Sequence, residues 1–398
     1  MKKLALMIKM IIRNIDKKWW KMLIFSALPF LIVLSPILFF GKVFLNSDLI
    51  TSVYPNYYFY QNSLANGMSI FWNSSNFSGF PIFIGSMGFL SPIFYIFFRL
   101  LPFFVAYNLF IFICLTFTLF FTWKLLIEFG LSVFASFAGG LVYVFSQWQY
   151  ISSIPIVSSL LILPLLFLII WRLKEEGGSS SIFFGSLLIG AGWLTMHFNW
   201  LVMILSVGFL FSLFLGWSNS KKWIVFFKFL LSCIFGTIIG LFIIVPLLKY
   251  SDLSVRSMGL SYKESIEGML GLGDFMRYFL PYFKFSIFNI AVSPTQLYLG
   301  SLPLFFLISS FRLKSSLVRF FIFLFSLCLL ISIGYSPFFW VMRQFPIFNS
   351  FRGPHRWMFI GSFAAAILTS FGINYFFDFS GDKYKKILLR VLKWIGWF

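Results

Sequence analysis

Residues 22–41 read "MLIFSALPFLIVLSPILFFG" and contain no charged side chain. A helix needs about 20 predominantly apolar residues to cross the hydrocarbon core of a bilayer. This stretch therefore predicts a transmembrane helix. Further apolar runs follow it at residues 103–128, 132–150, 154–171, 182–197, 199–217, 224–248, 296–311, 320–334 and 357–377. We expect an all-α, polytopic integral membrane protein with about ten transmembrane helices.

The composition excludes a soluble globular protein. Of the 398 residues, 60% are hydrophobic and 11% are charged, whereas a soluble domain carries about 25% charged residues. The formal net charge is +20, and the cytoplasmic bias of Lys and Arg in membrane proteins explains it without a nucleic-acid partner. Cys114, Cys233 and Cys328 all lie inside apolar runs. We expect core residues there, with no disulfide and no metal site.

The basic residues predict the orientation of the chain in the plasma membrane. Most Lys and Arg fall in segments 1–21, 129–131, 172–181, 218–223, 312–319 and 378–398. We expect these segments, and so the N-terminus, to be cytoplasmic. Residues 1–21 have apolar residues at helical spacing, which predicts a basic amphipathic helix on the membrane surface. Residues 22–377 form the transmembrane domain, and residues 378–398 are a basic tail or the beginning of an incomplete span.

Three longer segments then face the outside. They are residues 42–102, 249–295 and 335–356, which we call loop 1, loop 2 and loop 3. Long loops in a chain with short connections tend to be functional. Loop 1 contains "NSDLITSVYP" at residues 46–55, where Asp48 or Ser47 is expected to cap a helix that begins near Leu49.

Loop 1 also carries candidates for a sugar pocket, because aromatic rings stack on pyranoses. These candidates are Tyr54, Trp72 and Asn73. The alternative is that they belong to the aromatic belt at the membrane interface.

Loops 2 and 3 carry the candidate phosphate-binding residues. Arg352, His355 and Arg356 lie at the head of the last predicted span, where external arginines run against the cytoplasmic bias. Guanidinium groups bind phosphate bidentately, so a lipid phosphate is the expected ligand. Further candidates are Arg256, Arg277 and His197. The alternatives are anchoring by ordinary lipid headgroups for loop 3, surface ion pairs for loop 2, and a turn between helices for His197.

Several short motifs occur in an order seen in a known family. They are Asp48 with "YP" (54–55), "WN" (72–73) and "GFP" (79–81), then "RSMGLSYKE" (256–264), "YLGSLPL" (298–304) and "FRGPHRWMF" (351–359). This order resembles the YfhO-type bacterial membrane proteins, which are relatives of the GT-C glycosyltransferases. The similar region runs from residue 40 to residue 377.

The resemblance implies a GT-C-like first external loop in which Asp48 is the catalytic base or an acceptor-binding group. It implies transfer of a sugar from a polyprenyl-phosphate donor to a glycan or lipid acceptor of the cell envelope. Arg352, His355 and Arg356 would then stabilise the departing phosphate. This chemistry needs no nucleotide, and a divalent cation could bind through Asp48. From the residues alone, Asp48 is also explained as a solvated or helix-capping residue. A transporter or assembly factor for lipid-linked sugars or envelope polysaccharide is the alternative function.

Overall fold

The structure is a computed structural model that describes residues 17–76, 78–82, 91–148, 151–174, 179–217, 223–254, 257–279, 298–345 and 347–379. The predicted amphipathic helix therefore lies outside the described residues except for its last few positions, and the predicted tail except for its first two. The regular secondary structure of the described residues consists of helices and one isolated β-bridge between Asn73 and Phe80. An all-α fold is thus confirmed.

The α-helices are numbered in chain order. They are α1 (Lys17–Val33), α2 (Ser35–Phe39), α3 (Tyr54–Ala65), α4 (Pro92–Leu100), α5 (Phe103–Glu128), α6 (Val133–Ser146), α7 (Ile154–Arg172), α8 (Ser179–Thr195), α9 (Phe198–Trp217), α10 (Ile224–Ser251), α11 (Tyr262–Ser265), α12 (Leu272–Phe279), α13 (Ser301–Ser310), α14 (Ser316–Ser332), α15 (Pro337–Arg343) and α16 (Met358–Phe379). A π-helical turn covers Leu49–Val53, and 3-10 turns cover Phe348–Ser350 and Pro354–Trp357.

Five segments of the described residues are long and apolar enough to cross a membrane. They are Phe103–Glu128, Ile154–Arg172, Phe198–Trp217, Ile224–Ser251 and Pro354–Phe377. Helices α14 and α15 make a sixth if they count as one span, although they are bent by 82°. Four shorter apolar helices lie at Trp19–Val33, Val133–Ser146, Ser179–Thr195 and Ser301–Ser310. These helices indicate a membrane protein, and the count of ten spans stays a prediction.

The run at residues 22–41 is two helices, because its backbone breaks at Leu34. Pro36 lies in the first turn of α2 and has no N–H to continue the hydrogen bonding of α1. The Ser35 hydroxyl instead donates to the Ile32 carbonyl at 2.8 Å. The break therefore leaves that carbonyl satisfied.

The chain divides into two compact units. Unit 1 comprises Met1–Phe121, Ile151–Leu201 and Phe227–Ile244, and unit 2 comprises Thr122–Tyr150, Val202–Phe226 and Val245–Phe398. In unit 1, α8 and α10 approach closely through glycines. A Cβ on Gly236 would lie 2.6 Å from the Ile189 Cβ, and a Cβ on Gly240 would lie 2.5 Å from the Trp193 ring. The Gly236-x-x-x-Gly240 spacing thus permits the contact, as small residues do between membrane helices.

Unit 2 is organised around α16, whose neighbours are α6, α13 and α14. Gly372 lets α16 approach the Phe306 backbone of α13, and Gly139 of α6 faces Ser370. The Thr369 hydroxyl donates to the Pro303 carbonyl at 3.2 Å. Polar side chains thus link helices whose contact surface is otherwise apolar. This packing supports the head of α16, where the loop 3 cations lie.

Candidate functional site

The first helical turn of loop 1 is capped at its N-terminus by Asn46. The Asn46 Oδ1 accepts the Leu49 N–H at 2.8 Å, and its Nδ2 donates to the Ser152 hydroxyl at 3.2 Å. Asp48 makes no capping hydrogen bond with its side chain, so the predicted Asp48 or Ser47 cap is wrong. Backbone geometry decides this, because Ser47 and Asp48 are already helical and a capping residue stands just outside the helix.

Asp48 itself is exposed at the head of the π turn Leu49–Val53. Short π turns recur at functional sites because they shift the register of the helix they join. Leu49 is buried beside it and anchors the turn. Asp48 is therefore held by backbone and has an accessible carboxylate, which the proton-accepting role predicted for it requires.

Tyr54 is part of an aromatic core inside unit 1. Its ring packs edge-on against Phe103, Phe104 and Tyr107, and its hydroxyl donates to the Phe44 carbonyl at 2.8 Å. Burial raises the pKa of Tyr54 to about 12. The hydroxyl is thus a neutral donor that is already used within the protein, and this leaves packing as the evident role of Tyr54.

Trp72 and Asn73 are neighbours with opposite surroundings. Asn73 is buried, pairs with Phe80 through both backbone hydrogen bonds of the β-bridge, and donates from Nδ2 to the Asn56 Oδ1 at 3.3 Å. Trp72 is 54% exposed. Of the three predicted sugar-pocket residues, Trp72 alone presents a large surface to a ligand.

Loops 2 and 3 pack on each other within unit 2. The Leu260 N–H donates to the Asn349 carbonyl at 3.1 Å, and the Tyr262 hydroxyl donates to the Gly334 carbonyl at 2.9 Å. The Arg343 guanidinium donates to the Leu260 carbonyl and lies 5.6 Å from the centre of the Tyr262 ring. We call residues 257–274 together with 334–357 the cap. Its two halves are distant in sequence, so the loop lengths alone did not predict it.

Two predicted phosphate-binding residues have defined neighbours in the cap. Arg352 is half-exposed and forms an ion pair with Glu267 at 3.8 Å. The His355 ring lies against two glycines with positive φ: a Cβ on Gly268 would be 2.9 Å from His355 Cε1, and a Cβ on Gly353 would be 3.1 Å from the same atom. The His355 Nδ1 is buried and lies beside the Gly268 backbone without a hydrogen bond of good geometry among the described residues.

Unit 2 contains an apolar groove of about 610 Å³. Its lining residues come from α9, α14, α15 and the 3-10 turns; they are Ser206, Val207, Leu210, Leu327, Ile331, Pro337, Phe338, Val341, Met342, Phe345, Phe348 and Trp357. Arg343 directly follows the lining residue Met342, and Arg356 directly precedes the lining residue Trp357. The groove is thus lined mainly by apolar side chains, and two arginines adjoin lining residues in the sequence; the Arg343 guanidinium itself bonds to the Leu260 carbonyl.

Arg343 was not predicted as a site residue. Its Nε is buried without a hydrogen-bond partner among the described residues, although its terminal nitrogen bonds to Leu260. The signal in the sequence was the same one that identified Arg352, an arginine on the predicted outer side. A lone arginine at the end of a short apolar segment did not form a cluster, so the signal was missed.

Three other candidates are less informative. Arg256 lies outside the described residues, and Arg277 lies on α12 with a side chain that is also outside them. His197 is exposed between α8 and α9, where its carbonyl accepts the Trp200 N–H at 3.0 Å. Within the described ranges, no group of three or more His, Cys, Asp or Glu side chains could hold a metal ion.

Comparison with known proteins finds no matching protein family, no similar curated protein and no similar solved structure. The function is therefore inferred from the residues of this chain. Unit 1 carries an exposed carboxylate and an exposed indole. Unit 2 carries the cap, with three arginines, and an apolar groove.

Proposed function

We propose that the protein is a membrane glycosyltransferase that moves a sugar from a polyprenyl-phosphate donor to a cell-envelope glycan or lipid acceptor at the outer face of the plasma membrane. One observation carries the proposal. An apolar groove of about 610 Å³ in unit 2 is lined in part by α15, and Arg343 and Arg356 each adjoin a lining residue in the sequence. A polyprenyl phosphate has the matching chemistry, with a long apolar chain and a doubly charged head.

The groove and the cap would bind different parts of the donor. The isoprenoid chain would occupy the groove, where burial of apolar surface is favourable. Arg356 and Arg352 would hold the phosphate through charge-assisted, bidentate hydrogen bonds. The same contacts strengthen as charge accumulates on the departing phosphate, so they would favour the transition state.

Asp48 would act as the base. Its carboxylate would accept the proton of the acceptor hydroxyl as that oxygen attacks the anomeric carbon of the sugar. The bond from the anomeric carbon to the phosphate oxygen would break, and both its electrons would leave with polyprenyl phosphate. A phosphate departs without protonation, so the reaction needs no second carboxylate acid. A divalent cation could assist through Asp48, although one carboxylate alone is a poor site for such an ion.

The second candidate is a non-enzymatic transporter or assembly factor for lipid-linked sugars. One observation favours it: Asp48 is exposed, and no described side chain forms a hydrogen bond that orients its carboxylate. Catalytic groups are normally oriented by their neighbours. Both candidates require binding of the lipid phosphate and differ only in whether Asp48 is needed.

Purified protein in nanodiscs tests the shared step. Wild-type protein should retain polyprenyl phosphate and not polyprenol, and the Arg352→Ala/Arg356→Ala double variant should bind about 10- to 100-fold more weakly, because two charge-assisted contacts are lost. Arg312→Ala removes an exposed arginine from the turn between α13 and α14 and is the matched control. Equal retention of polyprenol and polyprenyl phosphate would overturn the proposal.

Asp48→Asn then separates the two candidates. The glycosyltransferase predicts that this variant binds polyprenyl phosphate normally and no longer transfers sugar from polyprenyl-phosphate donors. The transporter predicts unchanged function in cells. Wild-type turnover by intact Asp48→Asn protein would exclude Asp48 as the base.

A further inference from the structure

Trp72 lies over a glycine in loop 1. A Cβ on Gly79 would lie 2.7 Å from the Trp72 Cε2 and 2.8 Å from its Nε1, so no larger residue fits there while the indole keeps its place. Over half of the Trp72 side chain remains exposed. The indole therefore lies against Gly79 and is still largely accessible.

The loop that carries this contact is fixed by amide groups. The Asn56 Oδ1 accepts hydrogen bonds from Asn73 Nδ2 at 3.3 Å and from Asn76 Nδ2 at 3.0 Å. Asn73 Oδ1 accepts the Ser75 N–H at 2.9 Å. Asn73 and Asn76 are thus tied to α3 through Asn56, and these bonds fix the loop next to the indole.

The same loop contains an unusual backbone. Ser78 has φ of 60° and Gly79 has φ of 120°. Positive φ at a residue with a side chain is disfavoured, and such positions persist where the surrounding structure holds them, often at binding sites. Here the two left-handed residues bring the chain under the Trp72 ring. Ser74, Ser75 and Ser78 of the same loop are exposed residues.

We propose that Trp72, on its Gly79 support, is a binding platform for a pyranose ring. The C–H groups of a pyranose face are slightly positive and pack on the negative face of an aromatic ring, while its hydroxyls need polar partners at the edge. The loop offers both the indole and the serine hydroxyls. Because the platform is already ordered, binding loses little conformational entropy. The inference deepens the proposed function, since it assigns a place in unit 1 to the sugar of a donor or acceptor.

Wild-type protein in nanodiscs should bind at least one member of a panel of fluorescent oligosaccharides of glucose, galactose, mannose and N-acetylglucosamine. Trp72→Ala should weaken that binding by roughly tenfold, as expected for loss of one aromatic contact, and Trp72→Phe should restore part of it. Gly79→Ala should weaken binding as well, because its Cβ would push the Trp72 ring out of position although the ring is still present. Trp20→Ala is the matched control, since Trp20 is 55% exposed in the same unit.

Several results would overturn the platform. One is that wild-type protein binds no sugar on the panel, and another is that Trp72→Ala binds as wild type does. A third comes from lipids brominated near the headgroup. The Trp72 emission is the difference between the fluorescence of wild-type and Trp72→Phe protein, and if these lipids quench it, the indole is a membrane anchor. Polyprenyl-phosphate binding is measured separately through Arg352 and Arg356, so failure of the platform is distinguishable from failure of the proposed function.

Discussion

Loop 1 and the cap use similar residues in different ways. Both are rich in aromatic and polar side chains, yet loop 1 buries a set of aromatic rings, those of Tyr57, Tyr60, Phe94 and Phe98. Tyr57 and Tyr60 are fully buried, and Tyr57 lies 5.0 Å from Phe94 between ring centres. The Gln61 amide donates to the Phe98 carbonyl at 3.0 Å. Loop 1 therefore has an interior of its own, while many of its other described residues, Asp48 and Trp72 among them, are exposed.

The cap is built the other way. Its two halves are linked mainly by single hydrogen bonds and by glycines that admit the side chains of the opposite half, as Gly268 admits His355. Its charged residues lie between those links, and one buried nitrogen, Arg343 Nε, has no partner in the described chain. Buried polar atoms without partners are rare in stable interiors. The Ser63 Oγ of loop 1 is also buried without a partner in the described chain, so the contrast lies in the packing: aromatic rings fill loop 1, whereas single hydrogen bonds link the halves of the cap.

The largest expected effect comes from opening the interior of loop 1. Tyr57→Ala should lower the free energy of unfolding by about 3–5 kcal/mol, because it removes a fully buried aromatic ring and leaves a cavity. Tyr58 is 62% exposed, so Tyr58→Ala should change it by about 0.5 kcal/mol or less. Equilibrium unfolding in mixed micelles measures both. If the adjacent variants behaved alike, loop 1 would have no packed interior and the contrast with the cap would fail.

A smaller effect is expected from a glycine of the cap. Gly268→Ala should destabilise the cap by about 1–3 kcal/mol, because alanine at φ of 71° is strained and its Cβ would press on His355. Hydrogen exchange of residues 257–271 should accelerate, and polyprenyl-phosphate binding should weaken.

Gly67 provides the matched control for that prediction. It has φ of 65° in loop 1, and a Cβ there would meet nothing within 4 Å. Gly67→Ala therefore reports backbone strain alone. If both variants lost equal stability, the contact between Gly268 and His355 would contribute nothing, and the two halves of the cap would not depend on it.

Local signals predicted the helices well, since each apolar run contains or overlaps a described helix. Their ends were less predictable. The predicted span at residues 296–311 contains α13, which begins at Ser301 because Gly300 has φ of 101° and interrupts the run. The sequence also contains a signal for the break at Leu34, namely the proline after Ser35. The single span was predicted from the length of the apolar run alone. Length and composition thus predict helices, whereas Gly and Pro geometry sets their bounds.

The candidate site was less predictable because its contacts are long-range. Nothing near residue 355 indicates Gly268, and nothing near Asn73 indicates Asn56. Burial therefore changed the roles assigned to individual residues. Asn73 holds the loop in place, Trp72 is still exposed, and Arg343 joins the candidate residues. The external placement of the loops, the resemblance to YfhO-type proteins and the catalytic role of Asp48 stay predictions.

The smallest expected effect tests whether Asn46 or Asp48 caps the first helical turn of loop 1. Asn46→Ala should destabilise unit 1 by about 1 kcal/mol, because it leaves the Leu49 N–H without its capping oxygen and also removes the bond to Ser152. Asp48→Ala should leave the free energy of unfolding within about 0.5 kcal/mol of wild type, because Asp48 is exposed and takes no part in the hydrogen bond between Asn46 and Leu49. Unfolding midpoints of the two variants under identical conditions make the measurement. The reverse order would return Asp48 to a capping role and remove the reason for regarding its carboxylate as available. If Asn46→Ala is the more destabilised variant, loss of sugar transfer in Asp48→Asn could not be explained by a loosened loop, so the structural and chemical roles of this segment would be assigned to different residues.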